Sequence, residues 1–323
     1  MEDEPVKNII VIGASAGGIS AVARLVATFK KEIDAAIFVV IHLSRQSNSD
    51  VILNYIQKQT SLKCQIAADG ALIQNRTIYL APSDYHLMVE RDYVRVRKGA
   101  YENHWRPAID VLFRSAALAY NSCATGIILT GLLDDGTSGM RAIKRSGGKC
   151  IIQNPAEAEF PDMPQNVLQN VDVDYSVSIE EIIYILIDLH TQQECVPTVV
   201  PDDVKLEASI ALRMTSDVDD IIKLGDLSPF TCPDCGGILS KITDGKAVRY
   251  RCYTGHAYTE KTLELEQIKS MEESLWVAIR VLEERKNLLN TMASGKSRSK
   301  DIGMHIDRLK TLLLEIGKNM EIN

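Results

Sequence analysis

Short apolar runs alternate with amphipathic stretches along the first 190 residues of the chain. Mostly apolar runs predict buried strands at Val6–Ile12, Ala36–Ile41, Ala124–Thr130 and Cys150–Gln153. Apolar positions at helical spacing predict helices at Ile19–Phe29, Asp50–Thr60, Ala108–Tyr120, Thr137–Arg145 and Ile179–His190. This alternation indicates an α/β fold with a doubly wound, mostly parallel sheet of the Rossmann-like type.

Three short runs in the middle of this region have a different spacing. Thr77–Leu80, Leu87–Val89 and Val94–Arg97 are separated by only a few residues. Parallel neighbours need a crossover of roughly a dozen residues or more. The spacing therefore predicts hairpins rather than crossovers.

The pattern changes after residue 190, which suggests further domains. Residues 1–190 form the predicted α/β domain, and residues 191–228 are interpreted as a linker with one helical stretch at Asp203–Met214. Residues 229–258 form a compact cysteine-containing unit. Residues 259–323 carry two helical patterns separated by the polar run Ser294–Lys300. These helices are candidates for an antiparallel hairpin or for a homodimer contact.

The composition is that of a globular protein, since 46% of the 323 residues are apolar and 24% are charged. The net charge is −7 and no basic stripe is present, which gives no support to a nucleic-acid partner. The acidic first residues do not resemble a signal peptide, and no run reaches the roughly 18 apolar residues of a membrane span. We therefore expect a cytoplasmic protein without membrane insertion. Disulfides are not expected there, and Cys64, Cys123 and Cys150 are interpreted as core residues.

A serine lies at the turn after the first predicted strand. Ile12–Gly18 places Ser15 among alanine and glycine residues, directly before a helical pattern. Small residues allow close approach to the backbone, and the N–H groups at a helix start bind negative charge. Ser15 is thus a candidate nucleophile or phosphate-binding hydroxyl. A tight turn or a dinucleotide loop is the alternative, but His42 follows the second strand where a dinucleotide loop requires an acidic residue.

Two more polar side chains follow strands whose carboxyl ends share an edge with Ser15. His42 follows Ala36–Ile41, and Asp135 follows Ala124–Thr130. A serine nucleophile needs a base, and the base needs a carboxylate that fixes its tautomer. The three residues are therefore candidates for a hydrolase triad. Taken alone, each is also compatible with a turn or capping role.

Four side chains of metal-ligand type occur in residues 229–258. Cys232 and Cys235 form a Cys-x-x-Cys pair, and after sixteen intervening residues Cys252 and His256 follow. This spacing predicts a closed, structural zinc ribbon. A redox pair is the alternative, but it would require only the first two cysteines.

Ordered segments within residues 6–188 make the chain resemble the catalytic domain of the CheB protein-glutamate methylesterases. The matching segments are IGASAGG at Ile12–Gly18, IH at Ile41–His42, IYLAPSDYH at Ile78–His86, RPAIDVLF at Arg106–Phe113, ILTGLLDDGTSGM at Ile128–Met140, QN at Gln153–Asn154 and MP at Met163–Pro164.

By position, this resemblance implies that Ser15 is the nucleophile, His42 the general base and Asp135 the triad carboxylate. It also implies that the backbone at Ala16 and Leu132 supplies the oxyanion donors. A leucine at residue 132 stands where relatives often carry methionine, a change that a backbone donor tolerates.

Two further positions are implied to line the substrate groove. His86 and Arg106 resemble groove positions of the family, and a purely structural role is the alternative for both. Asn103–Pro107 lacks the first arginine of the family's usual Asn-Arg-x-Arg-Pro segment, so groove contacts are expected to differ.

The implied activity is hydrolysis of glutamate methyl esters on a methylated chemoreceptor or a similar signalling protein, with glutamine deamidation by the same route. No cofactor is expected for catalysis. Only seven residues precede the opening run at Asn8, so we expect control by a partner or by the C-terminal extension rather than by an N-terminal receiver domain. Two other functions remain open: a non-catalytic partner-binding module, and an esterase with a different substrate.

Overall fold

The computed structural model describes residues 6–29, 33–192, 195–196, 198–245, 247–292 and 296–320. The chain forms two compact units, one that ends at Thr259 and one that begins at Glu260. The acidic residues 1–5 and residues 293–295, part of the predicted break between the last two helices, lie outside the described residues.

The first unit contains both the predicted α/β domain and the cysteine-containing segment. Its described strands are β1 (Ile9–Ala14), β2 (Ala36–Ile41), β3 (Lys63–Ile66), β4 (Thr77–Leu80), β5 (His86–Glu90), β6 (Tyr93–Arg97), β7 (Ala124–Ile128), β8 (Lys149–Gln153), β9 (Tyr175–Val177), β10 (Asp226–Thr231), β11 (Ile238–Asp244), β12 (Ala247–Cys252) and β13 (Ala257–Thr259). Its described helices are α1 (Gly18–Thr28), α2 (Ser49–Gln57), α3 (Ile109–Tyr120), α4 (Thr137–Arg145), α5 (Asp162–Asn170), α6 (Ile182–Gln192), α7 (Asp202–Arg213) and α8 (Val218–Leu224).

Seven of the described strands form one parallel sheet in the order β3-β4-β2-β1-β7-β8-β9. The residues of β1 and β2 are all buried. Because successive side chains point to opposite faces, Ile10 and Ile12 of β1 pack in one core, and Ile9 and Val11 pack in the other. The predicted α/β fold with a doubly wound, mostly parallel sheet is confirmed.

Helices cover both faces of this sheet. α1, α2 and α6 contribute to one core, and α3, α4 and α5 contribute to the other. Because β1, β2 and β7 run in parallel, the loops that follow them open onto the same edge of the sheet. That edge carries Ser15, His42 and the loop before α4.

One part of the strand prediction is wrong. β5 and β6 pair as an antiparallel hairpin, as the spacing predicts, but β4 joins the main sheet parallel to β2 and β3. The sequence pattern does not predict β3 and β9 at all. Both are short edge strands with partly exposed side chains, so they carry no clear hydrophobic pattern.

Residues 191–228 are more ordered than the linker prediction. They contain α7 and α8, and Val204 and Ala208 of α7 are buried. Val204 belongs to the same core as α3. α7 corresponds to the helical stretch predicted at Asp203–Met214, whereas α8 is not predicted. α7 also buries the charged side chain of Glu207.

A disulfide joins Cys123 and Cys195, whose Cα atoms are 5.2 Å apart. The expectation that disulfides are absent and that Cys123 is a free core residue is therefore wrong. The two cysteines are 72 residues apart in the chain, and composition cannot reveal that these segments meet. Cys64 and Cys150 are free, and Cys150 is buried as expected.

A second, antiparallel sheet is formed by β10, β11, β12 and β13. The second unit contains α9 (Glu260–Thr291) and α10 (Lys296–Met320), which pack together through an apolar cluster that includes Ile279, Leu289, Ile302 and Ile306. Among the described helices, none is both long enough and apolar enough to cross a membrane.

Candidate active site and metal centre

The turn between β1 and α1 holds Ser15 at the edge of the sheet. The Ser15 N–H donates to the Thr130 carbonyl at 3.0 Å, which fixes the turn to the loop after β7. Gly17 has a φ of +71°, a backbone conformation that favours glycine. A Cβ on Gly131 would lie 2.8 Å from the Ser15 Cβ, so the absence of a side chain there leaves room for the serine.

The imidazole of His42 lies between Ser15 and Asp135. His42 Nδ1 is 3.2 Å from Ser15 Oγ, and His42 Nε2 is 2.8 Å from Asp135 Oδ2. A carboxylate can only accept a hydrogen bond, so Nε2 carries the proton and neutral His42 presents a free lone pair on Nδ1 to the serine hydroxyl. The three predicted residues are therefore brought together in the order that a serine activated by a base requires.

Trp105 fixes the orientation of the imidazole. Its ring stacks on the His42 ring with centroids 4.2 Å apart and an interplanar angle of 10°. The His42 side chain is fully buried, so stacking and the Asp135 hydrogen bond together restrict its rotation. The sequence shows Asn103–Pro107 only as a segment that differs from the family pattern. It does not predict the contact between Trp105 and His42.

Asp135 is buried and surrounded by hydrogen-bond donors. Besides His42, its carboxylate accepts from Asn103 Nδ2 at 2.9 Å and from the Ile109 N–H at 2.7 Å. Burial by itself raises the pKa of Asp135, but the hydrogen bonds from His42, Asn103 and Ile109 outweigh it and hold the pKa below its usual value. The carboxylate thus stays ionised beside the imidazole.

Asp110 is a second buried carboxyl in this site, and it shares donors with Asp135. Asn103 Nδ2 donates to both carboxyls, and the Gly136 N–H donates to Oδ1 of both. Burial, followed by the charge of Asp135, raises the pKa of Asp110 to about 7. Its position in the matching segment Arg106–Phe113 is the one signal in the sequence that could have identified it.

The two positions predicted to supply oxyanion donors flank this arrangement. Ala16 directly follows Ser15 ahead of α1, and its carbonyl accepts from Thr130 Oγ1 at 3.2 Å. Leu132 lies in the loop after β7 with 46% of its surface exposed. The same loop is held by Asn166 Nδ2, which donates to the Leu133 carbonyl at 2.8 Å.

His86 and Arg106 are both engaged inside the protein. His86 is buried; its Nε2 donates to the Ala100 carbonyl at 2.8 Å, and its Nδ1 accepts from the Ala108 N–H at 3.2 Å. Arg106 bonds to Asp84 through Nε at 2.9 Å and to the Gly99 carbonyl at 2.7 Å. These contacts brace the segment before α3. A role for either side chain in substrate binding stays a prediction.

An open cavity of about 340 Å³ adjoins Ser15 and His42. Ile19, Leu43 and Tyr55 give it an apolar wall. It has room for a side chain that brings a carbonyl group to Ser15 Oγ. Sequence reasoning does not identify Tyr55, which lies on α2 rather than in a matching segment.

The four predicted metal ligands are gathered at one place in the second sheet. The ligand atoms of Cys232, Cys235, Cys252 and His256 all lie within 4.8 Å of one another. Cys235 Sγ is 3.7 Å from Cys252 Sγ, and Cys252 Sγ is 3.5 Å from His256 Nδ1. Ligands about 2.0–2.3 Å from a tetrahedral ion have separations of this size, so the donor set fits zinc.

A family model described as CheB methylesterase matches residues 10–186. A putative protein-glutamate methylesterase/protein-glutamine glutaminase of Leptospira interrogans is 35% identical over 181 residues, which is 56% of this chain and 93% of that protein. A protein-glutamate methylesterase/protein-glutamine glutaminase of Methanosarcina mazei is 30% identical over 188 residues, 56% of this chain and 51% of that protein.

A solved structure is also similar. The CheB methylesterase catalytic domain of Thermotoga maritima aligns with a TM-score of 0.54 and 30% identity, covering 56% of this chain and 98% of that one. The cysteine-containing unit and the two C-terminal helices lie beyond the residues that the family model matches.

Proposed function

This chain belongs to the CheB methylesterase family, and from that premise we propose that it hydrolyses methyl esters of glutamate side chains by a serine-dependent mechanism. The observation that carries the proposal is the continuous line of hydrogen-bond contacts from Ser15 Oγ through His42 to Asp135, with separations of 3.2 and 2.8 Å. No cofactor takes part in the reaction.

The first step forms an acyl-enzyme. His42 Nδ1 removes the proton of Ser15 Oγ as that oxygen attacks the ester carbonyl. Asp135 stabilises the imidazolium that results, because it keeps its charge and its hydrogen bond to Nε2. The imidazolium then protonates the departing oxygen, and methanol leaves.

The negative charge on the carbonyl oxygen needs donors that are already in place. We assign this role to the backbone N–H groups of Ala16 and Leu132, next to the start of α1. In comparable sites a single donor lowers the barrier by about 3 kcal/mol. The partial positive charge of the helix start adds to this effect.

Water completes the cycle. His42, neutral again, removes a proton from water as that water attacks the acyl-enzyme. The imidazolium then returns this proton to the departing Ser15 Oγ, and the acid product loses its own proton to solvent and leaves as the glutamate carboxylate. A glutamine side chain would follow the same route with ammonia as the leaving group, so deamidation belongs to the same proposal.

The proposed substrate is a methylated glutamate on a chemoreceptor or a similar signalling protein, reached in the cytoplasm. A methyl ester is uncharged, and the apolar wall formed by Ile19, Leu43 and Tyr55 is suited to it. A glutamate carboxylate loses this advantage because its charge would be desolvated against the same apolar wall, which favours product release.

Methanol release from methylated chemoreceptor tests this function. We expect wild-type protein to release methanol and Ser15→Ala to release none while keeping the wild-type circular dichroism spectrum. Ser209→Ala, a serine on α7 whose hydroxyl bonds to the Leu206 carbonyl, is the matched control and should remain active. Equal methanol release by wild type and Ser15→Ala would refute the assignment.

We also propose that Cys232, Cys235, Cys252 and His256 hold a zinc ion. Zinc would cross-link two segments of the second sheet and, with all four positions taken by protein ligands, would play no part in bond breaking. Metal analysis should find one zinc per chain, lost in Cys235→Ser and retained in Cys64→Ser. Retention of zinc by Cys235→Ser would contradict the site.

These proposals give each part of the chain a role. Residues 1–190 carry the hydrolase, residues 229–258 the zinc unit and residues 259–323 the helical extension. In the segment between the first two, α7 packs into the core of the compact unit that extends to Thr259.

A further inference from the structure

One loop, residues 101–105, contacts both the candidate active site and the metal-binding unit. On one side Asn103 donates to Asp135, and Trp105 stacks on His42. Asn103 and His104 have φ values of +51° and +72°, a conformation that costs free energy in residues other than glycine. The surrounding contacts must therefore hold this loop in place.

The backbone of this loop pairs with β13, directly after the metal ligand His256. The Asn103 N–H donates to the Ala257 carbonyl at 2.8 Å, and the Ala257 N–H donates to the Tyr101 carbonyl at 3.3 Å. Glu102 and Ala257 form a parallel bridge. The position of the loop thus depends on the position of the chain at His256.

Buried charges make a second connection. Glu102, only 3% exposed, is ion-paired with Arg114 of α3 and with Arg251 of β12, the latter at 2.7 Å. Arg251 directly precedes the metal ligand Cys252, and its Nη1 donates to the Gly255 carbonyl at 3.1 Å. A buried ion pair is sensitive to displacement of either partner, because the other charge is then left without compensation.

These two connections join the metal ligands to the residues that orient the base and its carboxylate. We infer that the cluster of three cysteines and one histidine is a metal-dependent clamp on residues 101–105: with zinc bound it holds Asn103 against Asp135 and Trp105 against His42, and without zinc the loop loosens and Ser15 loses reactivity. The loss of Ser15 reactivity rests on the proposed function, whereas the loosening of residues 101–105 on zinc removal does not. Asn103 and Trp105 act here as positioning residues.

Zinc can exert this effect because of where its ligands lie. Cys232 and Cys235 follow β10, whereas Cys252 and His256 flank the turn between β12 and β13. An ion shared by all four fixes that turn, and Ala257 and Arg251 are fixed with it. The metal unit, which follows the α/β domain in the chain, would then regulate the activity of that domain.

Hydrogen exchange on the full-length protein tests the coupling directly. Zinc-loaded protein is compared with protein stripped by dipicolinic acid and with stripped protein after zinc is restored. We expect stripping to speed amide exchange at residues 101–107 while β1 and β2 remain protected, and zinc to reverse the change. Unchanged exchange at 101–107, with faster exchange at 252–257, would overturn the clamp.

A catalytic readout accompanies the exchange data. Stripping should lower kcat for ester hydrolysis, and the rate of Ser15 labelling by a fluorophosphonate, by about tenfold or more, since small displacements of reacting groups cost this much. KM should change little, because the loop orients the base rather than the substrate. If zinc-loaded protein shows no Ser15 labelling, the proposed function fails, and the exchange data still decide the clamp.

Two arginine variants test the ion pair between Glu102 and Arg251 separately from metal binding. Arg251→Met breaks the pair with Glu102, whereas Arg141→Met breaks a pair between α4 and Asp244 of β11, at 2.8 Å, that does not include Glu102 or its partners. Both variants should bind cobalt and show the same thiolate-to-cobalt charge-transfer absorption band as the wild type. Only Arg251→Met should speed exchange at residues 101–107. Equal protection of residues 101–107 from exchange in Arg251→Met and wild type would contradict the role of the ion pair. If a variant does not fold, the zinc-stripping experiment still decides the question, because it needs no substitution.

Discussion

At the scale of single residues, the site depends on two carboxyl groups that share donors but ionise differently. Asp135 keeps its charge because several donors face it, among them His42, Asn103 and the Ile109 N–H. Asp110 accepts from the Gly136 and Gly139 N–H groups at 3.0 and 2.6 Å, yet burial and the charge of Asp135 raise its pKa to about 7. A proton bound to Asp110 therefore stabilises this pair of carboxyl groups near neutral pH.

The Asp110→Asn variant tests this proton. A carboxyl whose pKa rises from 3.8 to about 7 on folding binds its proton more tightly in the native state. Its contribution to stability is complete below the lower value and is lost as the pH rises through the higher one. We expect the free energy of unfolding of the wild type, relative to Asp110→Asn, to fall between about pH 4 and about pH 8, by at most about 1.4 kcal/mol per pH unit.

Urea unfolding of both proteins at a series of pH values measures this difference. A difference that stays constant over the whole range would show that Asp110 does not titrate there.

Ser15, His42 and Asp135 could be predicted because each follows a strand, and parallel strands bring such positions to one edge. Asn103 and Trp105 could not be predicted, because they lie in an irregular loop with positive φ values. Nothing in their spacing indicates a contact with Asp135, which is 32 residues away from Asn103.

At the scale of elements, the close approach of α3 and α4 positions the second carboxyl. A Cβ on Gly139 of α4 would lie 2.5 Å from the Phe113 Cβ and 3.1 Å from the Asp110 Cα on α3. Backbone and Cβ atoms cannot turn aside as a flexible side chain can. Glycine at this position thus permits the contact between the Gly139 N–H and Asp110.

Gly139→Ala should force the two helices apart. We expect it to destabilise the protein by about 1–3 kcal/mol through overpacking. Gly303→Ala in α10 is the control, since the nearest atom to a Cβ at this position is the flexible Lys286 Nζ at 3.9 Å, and alanine favours a helix. Thermal unfolding measures both, and a Gly139→Ala protein as stable as the wild type would contradict this account of the packing.

Elements with strong periodicity could be predicted, and short ones could not. Ala36–Ile41 and Thr137–Arg145 have the bounds that the sequence predicts for β2 and α4. β4 has the predicted bounds but not the predicted partner, because a run of four residues does not indicate which strand it will pair with.

At the scale of the whole molecule, buried ion pairs join segments of the chain that the hydrophobic pattern alone would assign to separate parts. Residues 191–228 resemble a linker in their sequence, yet Glu207 of α7 is buried with Arg114 at 3.2 Å and Arg249 at 3.0 Å. Its pKa falls to about 2: burial alone would raise it, but Arg249 and Arg114 outweigh that effect. Such pairs join distant segments without an apolar pattern.

The two C-terminal helices form a separate compact unit with exposed apolar side chains, among them Trp276, Leu288 and Leu314. We expect these surfaces to pair two copies of the chain. Sedimentation should show a dimer for the full chain and a monomer for Leu288→Glu/Leu314→Glu. A protein ending at Thr259 should be monomeric and should keep its Ser15 reactivity. A full-length monomer at high concentration would rule out this contact.

The central claim is that Ser15 is a nucleophile activated by His42. Labelling of the zinc-loaded, full-length protein with a serine-directed fluorophosphonate, followed by peptide mapping, tests it most directly. We predict one covalent adduct, on Ser15, that is absent from Ser15→Ala and strongly slowed in His42→Gln. An adduct on a different serine, or ester hydrolysis that persists with Ser15 unmodified, would contradict the account.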